Sequence, residues 1–188
     1  MSKDRSRSGS SKSHKRFFKK RKEETRITYL GNYVPDNLMK RGGCIMYTAT
    51  PEGFKFCFGI DSVHLELTDF GGSFDTNKDK NIIDTAFREF KEESLGLIDL
   101  DPKQEELKIA SAVYNHKDLI VFIPVSLDTE AFTNKFNEAI ELARKAEMQT
   151  CKWITKDEMI KHYKDGKMYK KVAKLLSKLG DTLFETLK

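Results

Sequence analysis

The sequence has little of what marks secreted or membrane proteins. Its 188 residues include only three cysteines, Cys44, Cys57 and Cys151, which are scattered and odd in number. They predict neither a disulfide framework nor a zinc site and favour a reducing compartment. The longest purely apolar run before a proline, Leu119–Ile123, is far too short to span a bilayer. The basic N-terminus has no apolar stretch behind it, unlike a secretory signal. We therefore expect an intracellular protein, cytoplasmic or nuclear, that does not enter a membrane.

Positive charge is concentrated at one end of the chain. Residues 1–24 hold ten lysines and arginines, all between positions 3 and 22, against three acidic residues, which gives a net charge of +7. Since the whole chain carries +5, the other 164 residues sum to −2. We expect residues 1–25 to be a disordered, low-complexity basic tail. Residues 3–22 are candidates for contact with RNA, although a tail that only adds solubility would have the same composition.

Residues 26–188 read as one domain of alternating strands and helices. A turn signal at Pro51-Glu52-Gly53 joins two short apolar runs, which predicts a β-hairpin. The sequence predicts strands at 27–30, 44–50, 54–60, 65–70, 107–114 and 118–127, and helices over 80–95, 133–147, from 155 and from 168. This order indicates an α/β protein of 26–188 with helices at its C-terminus.

One predicted helix carries an unusual group of carboxylates. Glu89, Glu92 and Glu93 stand at positions i, i+3 and i+4, so they share one face. Like charges held together repel each other, whereas a divalent cation such as Mg²⁺ or Mn²⁺ takes oxygen ligands and bridges substrate phosphates. The pair Gly71-Gly72 upstream lets the backbone approach a ligand or turn sharply. The alternative is a charged amphipathic helix that only covers a core.

The stretch GGSFDTNKDKNIIDTAFREFKEESLGL, residues 71–97, resembles the Nudix box, G-x5-E-x7-R-E-U-x-E-E-x-G-U with U a bulky apolar residue. Residues 88–93 match the R-E-U-x-E-E core at every fixed position, and Gly96-Leu97 matches its end. The stretches ELTDFGG and REFKEESLGL resemble Nudix proteins of large DNA viruses.

The chain departs from that pattern at three points. Gly72 lies two residues too far from Arg88, and one extra residue separates Glu93 from Gly96. Lys80 stands where the family has its first glutamate, which usually orients the arginine. Arg88 therefore needs another partner, and Asp75 and Asp79 are the candidates.

The resemblance implies a Nudix-type α/β/α sandwich with a mixed β-sheet. It also implies a site in which Glu89, Glu92 and Glu93 bind Mg²⁺ or Mn²⁺. Arg88, Glu92 and Glu93 would be catalytic, and Gly71 and Gly72 would bind substrate or phosphate. Glu147 lies in the segment AEMQTCKWI, residues 146–154, which is similar to the place where Nudix proteins carry a late glutamate that acts as an extra ligand or general base. A surface glutamate at a helix end is the alternative for Glu147.

The resemblance implies a pyrophosphohydrolase that cleaves a nucleoside diphosphate linked to another group. The basic tail favours the 5′ cap of RNA as substrate, that is, decapping. Nucleoside triphosphates, dinucleoside polyphosphates and nucleotide sugars remain alternatives. A third possibility is a Nudix-fold module that binds a nucleotide or RNA without cleaving it, which the absent first glutamate and the shifted glycine favour.

Overall fold

The computed structural model describes residues 24–187. Eight strands and five helices follow one another in this order: β1 Arg26–Tyr29, β2 Arg41–Thr50, β3 Gly53–Asp61, β4 Leu67–Thr68, β5 Phe70–Ser73, α1 Ile82–Glu93, β6 Ser111–Tyr114, β7 Asp118–Pro124, α2 Thr129–Leu142, β8 Met148–Thr155, α3 Lys156–Lys164, α4 Lys170–Leu179 and α5 Thr182–Thr186. No helix within this range is long and apolar enough to cross a membrane.

All eight strands join in one mixed sheet. Its main path runs β1-β6-β7-β2-β3-β4, while β5 pairs with β2 and β8 pairs with β3. The central pair, β2 and β7, is parallel, and the other pairings are antiparallel. This confirms the predicted α/β class with a mixed sheet.

Helices cover both faces of the sheet, so the core has two halves. Residues of α1 and α2, including Phe90 and Phe136, pack on one face, and residues of α3, α4 and α5, including Met159 and Leu175, pack on the other. The alternation of β3 divides its side chains accordingly: Cys57 faces the first half, and Phe56 and Phe58 face the second. The three layers confirm the predicted α/β/α sandwich.

Glycines bring α1 unusually close to the sheet. A Cβ added at Gly42 in β2 would lie 2.7 Å from the carbonyl oxygen of Ile82 and 2.9 Å from the amide nitrogen of Ala86. Gly43 pairs with Gly71 across β2 and β5, where a Cβ on Gly71 would lie 2.5 Å from Cα of Gly43. The helix that carries the glutamates therefore packs directly on β2 and β5, the two strands that carry these glycines.

Several element boundaries differ from the prediction. Strand β2 begins at Arg41 rather than Cys44, because Gly42 and Gly43 pair with Gly72 and Gly71 of β5. The predicted strand over 107–114 is confined to Ser111–Tyr114, since Glu105–Ile109 forms a short 3-10 helix. Helix α2 begins at Thr129 and ends at Leu142, four to five residues earlier at each end than predicted.

Candidate functional site

An N-cap residue, Asn81, fixes the start of helix α1. The side chain of Asn81 accepts hydrogen bonds from the amides of Ile83 and Asp84, at 2.8 and 3.3 Å. Its apolar residues, Ile82, Ala86, Phe87 and Phe90, are buried against the sheet. Glu89 and Glu93 lie at the margin of this buried face, next to Gly72 and Gly71 of β5, and Glu92 lies further round towards solvent, so the three carboxylates face one side of the domain.

The structure brings the four predicted glutamates to one cavity. Glu89, Glu92 and Glu93 line it from α1, and Glu147, immediately before β8, lines it from the other side. The cavity has a volume of about 160 Å³, and its remaining lining consists of Leu95, Ile140, Lys145, Ala146 and Met148. Arg88 is held beside this cavity rather than in its wall.

Asp79 is the partner of Arg88. Nε and Nη2 of Arg88 each donate to one carboxylate oxygen of Asp79, both at 2.8 Å. Asp79 also accepts from the Thr85 hydroxyl at 2.9 Å and from the amide of Asp75 at 3.0 Å. Hydrogen bonding from Arg88 outweighs burial and lowers the pKa of Asp79 to about 2. Of the two predicted candidates, Asp79 meets the guanidinium, and Asp75 supports Asp79 through its backbone.

Arg88 in turn holds two of the glutamates. Its Nη1 donates to Oε1 of Glu89 at 2.7 Å and to Oε2 of Glu92 at 3.3 Å, and its Nη2 donates to the carbonyl of Ser73 at 3.3 Å. Lys80 makes no such contact through its side chain; its backbone amide donates to Asp84 at the start of α1. Arg88 thus links Asp79 to the carboxylates of the cavity.

Glu93 is the most perturbed acid of the site. Its Oε2 accepts a hydrogen bond from the amide of Gly71 at 2.6 Å. Burial, reinforced by the charge of Asp69, nevertheless raises the pKa of Glu93 to about 9. Burial also raises the pKa of Glu89, against the effect of Arg88. Negative charge at Glu93 is therefore unfavourable without a compensating cation, whereas Glu89 has the Arg88 guanidinium beside it.

Sequence reasoning missed an ion pair behind Glu93. Arg41 and Asp69, whose side chains are 6% and 0% exposed, form two hydrogen bonds of 2.6 and 2.7 Å. Arg41 also donates to the carbonyl of Gly71 at 2.9 Å and lies over the ring of Tyr169 at 5.3 Å. Gly71 is consequently fixed at its carbonyl by Arg41 and at its amide by Glu93. Arg41 precedes a glycine pair in a strand, and no periodicity or spacing distinguishes it.

The two glycines that are predicted to bind phosphate, Gly71 and Gly72, lie against the glutamates of α1 in this structure. The amide of Gly71 is engaged by Glu93. A Cβ at Gly72 would lie 2.4 Å from the carboxyl carbon of Glu89. The absence of side chains at this point therefore makes room for carboxylates, and phosphate binding by Gly71 and Gly72 stays a prediction.

The residues fit a hard divalent cation by their chemistry. Four carboxylates line one cavity, and hard cations prefer oxygen ligands. Across residues 24–187, no three histidine, cysteine or acidic side chains already converge closely enough to form a metal site. Arg88 forms ion pairs with Glu89 and Glu92 in this arrangement. Arg88 bonds to only one oxygen of each carboxylate, so the second oxygen of Glu89 and of Glu92 would serve as the cation ligand.

Comparisons with known proteins give only distant likenesses. No protein-family model matches the chain, and no curated protein sequence matches it. Among solved structures, an Ap4A hydrolase of C. elegans in a binary complex is 17% identical, with a TM-score of 0.46, over 77% of this chain and 97% of that chain. The Nudix domain of Shewanella oneidensis NrtR, complexed with ADP ribose, is 14% identical, with a TM-score of 0.41, over 71% and 84%. At such values, the function has to be argued from the residues of this chain.

Proposed function

We propose that this chain is a metal-dependent pyrophosphohydrolase of the Nudix type that cleaves a nucleoside diphosphate linked to another group. The observation that carries the proposal is the convergence of Glu89, Glu92, Glu93 and Glu147 on one cavity. An ordinary solvated helix face gains nothing from such a cluster, and burial already raises the pKa of two of its members. The resemblance of residues 71–97 to the Nudix box supports the same conclusion.

In this mechanism Glu89, Glu92 and Glu93 would hold Mg²⁺ or Mn²⁺, which neutralises diphosphate oxygens and favours departure of the leaving group. Glu147, or one of the box glutamates, takes the proton of the attacking water. Arg88, positioned by Asp79, orients Glu89 and Glu92. The amide of Gly71 holds the carboxyl group of Glu93 in the cavity wall.

The proposal extends to the identity of the group that is linked to the nucleoside diphosphate. The basic tail of residues 1–25 favours the 5′ cap of RNA, and residues 3–22 would then contact the RNA; residues 1–23 lie outside the part that the structure describes. Nucleoside triphosphates, dinucleoside polyphosphates and nucleotide sugars are the alternative substrates. Deletion of residues 1–24 distinguishes capped RNA from these small substrates. It should impair cleavage of long capped RNA only if the tail binds RNA.

A binding module without catalysis is the second candidate. The specific observation in its favour is that the glutamates are held by Arg88 and Gly71 rather than grouped around a metal position. Against it, Asp79 supplies a carboxylate for Arg88, so the substitution of Lys80 for the usual glutamate does not leave the arginine without a partner.

The test is product release from a panel of capped RNA, nucleoside triphosphates, dinucleoside polyphosphates and nucleotide sugars, with Mg²⁺, with Mn²⁺ and with chelator. The proposal expects cation-dependent cleavage of at least one class. Binding of a nucleotide or RNA without cleavage under any of these conditions would instead support the binding module.

A further inference from the structure

Helix α1 ends in an unusual way at the cavity. The amide of Leu95 donates to the carbonyl of Glu92 at 3.2 Å, and the amide of Gly96 donates to the carbonyl of Lys91 at 2.8 Å. These two bonds form a Schellman motif, in which the residue after the C-cap Ser94 takes a left-handed conformation. That residue is usually glycine, but here it is Leu95, with φ of +57°. A β-carbon makes this conformation unfavourable, so the leucine stands where glycine would serve the backbone better.

Leu95 places its side chain in the wall of the cavity. Together with Ile140 and Met148 it makes an apolar surface in a cavity otherwise lined mainly by charged groups. Backbone strain of this kind is concentrated at functional sites, where it positions a group that the function needs. Leu95 is also one of the two residues, Ser94 and Leu95, that separate Glu93 from Gly96, where the Nudix box has one.

The same backbone conformation elsewhere supplies a control. Within residues 24–187, Leu65 is the other non-glycine residue in the left-handed region, with φ of +59°. It lies between β3 and β4, is 63% exposed and does not line the cavity. Substitution of either leucine by glycine removes a similar strain, but only at position 95 does it remove part of the cavity wall.

The chemistry of the wall indicates which part of a ligand it contacts. Diphosphate is fully charged and gains nothing from an apolar surface, and the hydroxyl groups of a ribose gain little. The faces of a nucleobase are planar and apolar, and burial against aliphatic side chains favours them. The volume of about 160 Å³ is below the roughly 300–1,000 Å³ of pockets that enclose a whole ligand, so the base would contact only the apolar part of the lining and leave the glutamates to the diphosphate and its cation.

We propose that Leu95, with Ile140 and Met148, binds the nucleobase of the substrate and makes the site prefer a nucleoside diphosphate over inorganic pyrophosphate. This inference rests on the proposed function for the identity of the ligand, but not on turnover. Leu95 is thus a specificity-determining residue, and its contribution is to the binding of the base.

Calorimetric titration of the full chain tests this, with Mg²⁺ present and with ADP, GDP, CDP, UDP and inorganic pyrophosphate as probes. For wild type, at least one nucleoside diphosphate should bind more tightly than pyrophosphate. L95G should lower the affinity for that nucleotide about tenfold, as expected for loss of part of a leucine contact. Its affinity for pyrophosphate should change less than about twofold. L65G should leave both affinities unchanged.

L95N serves as the second variant, because asparagine tolerates the left-handed conformation but offers a polar surface. It should also lower the affinity for the nucleotide and leave the affinity for pyrophosphate unchanged. The inference is overturned if no nucleoside diphosphate binds more tightly than pyrophosphate. It is equally overturned if the Leu95 variants keep wild-type nucleotide affinity, or if L65G loses as much. Discrimination by Leu95 in a chain that cleaves nothing would uphold this inference and refute the hydrolase, and turnover with unaffected Leu95 variants would do the reverse.

Discussion

Arg88 and Asp79 are joined by two hydrogen bonds of 2.8 Å, and Asp79 lies one residue before Lys80, the position at which the Nudix box has a glutamate. The side chain of Asp79 is 1% exposed, and it accepts further bonds from Thr85 and from the backbone of Asp75. A carboxylate shifted by one position therefore meets the guanidinium, and the loop before α1 accommodates the shift.

Replacement of Asp79 by asparagine should weaken both the fold and the site. The change removes one charge-assisted bond to Arg88 and leaves a buried amide nitrogen facing a guanidinium, which should cost about 1.5–3 kcal/mol of the free energy of unfolding. Residues that orient a metal ligand typically affect activity about 10–100-fold, so hydrolysis should fall by that factor. Denaturant unfolding and steady-state kinetics measure the two effects.

Asp75→Asn is the matched control for Asp79→Asn. Asp75 reaches Asp79 through its backbone amide, which the substitution retains, and its own carboxylate caps the turn at Asn77. Hydrolysis should stay within about twofold of wild type. If Asp79→Asn likewise left hydrolysis unchanged, the position of Arg88 would not depend on Asp79. The proposal that Arg88 and Asp79 together position Glu89 and Glu92 would then be wrong.

The glycines of β5 should respond differently to alanine. At Gly72 the new Cβ meets the carboxylate of Glu89, a flexible side-chain end that can move away, whereas at Gly71 it meets the backbone of Gly42 and Gly43. Gly72→Ala should therefore keep the stability within about 1 kcal/mol but lower hydrolysis about 100-fold through misplacement of Glu89. Gly71→Ala should lose about 3 kcal/mol or more.

Ser73→Ala, at the exposed end of the same strand, should leave stability and hydrolysis unchanged. Thermal unfolding and kinetics of the three variants are compared under one set of conditions. Full activity in Gly72→Ala would show that the position of Glu89 against Gly72 is irrelevant to the chemistry.

The raised pKa of Glu93 predicts how stability depends on pH without a divalent cation. Because the folded protein holds this proton up to a pKa of about 9, against 4.5 for an ordinary glutamate, the folded state binds more protons than the unfolded state between these values. The free energy of unfolding in chelator should therefore fall as the pH rises from about 4.5 to about 9. Glu93→Gln should remove this part of the slope, which urea unfolding across the pH range measures.

Added Mg²⁺ should oppose the same loss, since it favours the carboxylate form of Glu93 in the folded state. A wild-type slope identical to that of Glu93→Gln in chelator would mean that Glu93 titrates normally. The burial argument for the site would then be wrong.

The sequence was sufficient for the elements that follow simple periodicity. Helix α1 was predicted over 80–95 and spans Ile82–Glu93, because its apolar residues recur at three- and four-residue spacing. The capping box at Thr155 and Glu158 begins α3 as predicted, since both reciprocal bonds form. The convergence of the three α1 glutamates follows from the same helical geometry.

Other features depend on contacts between distant parts of the chain. Gly42 and Gly43 lie just before the predicted strand 44–50, and only the packing of α1 and β5 against them explains why they belong to β2. Arg41 meets Asp69 across 28 residues of sequence, and no local pattern announces such a pair. The start of α2, by contrast, follows from a local signal: Asp128 caps the helix by accepting from the amides of Glu130 and Ala131.

The most direct test of the central claim is the rate of diphosphate hydrolysis by wild type, Glu93→Gln and Glu138→Gln at saturating Mg²⁺, on the substrate that the panel selects. Glu138 is exposed on α2 and lies outside the cavity lining, so its variant controls for loss of one carboxylate. We predict that Glu93→Gln lowers turnover by at least about 1,000-fold with an intact fold, whereas Glu138→Gln retains wild-type turnover. Wild-type turnover by a folded Glu93→Gln protein would contradict the proposal that this cavity is the active site.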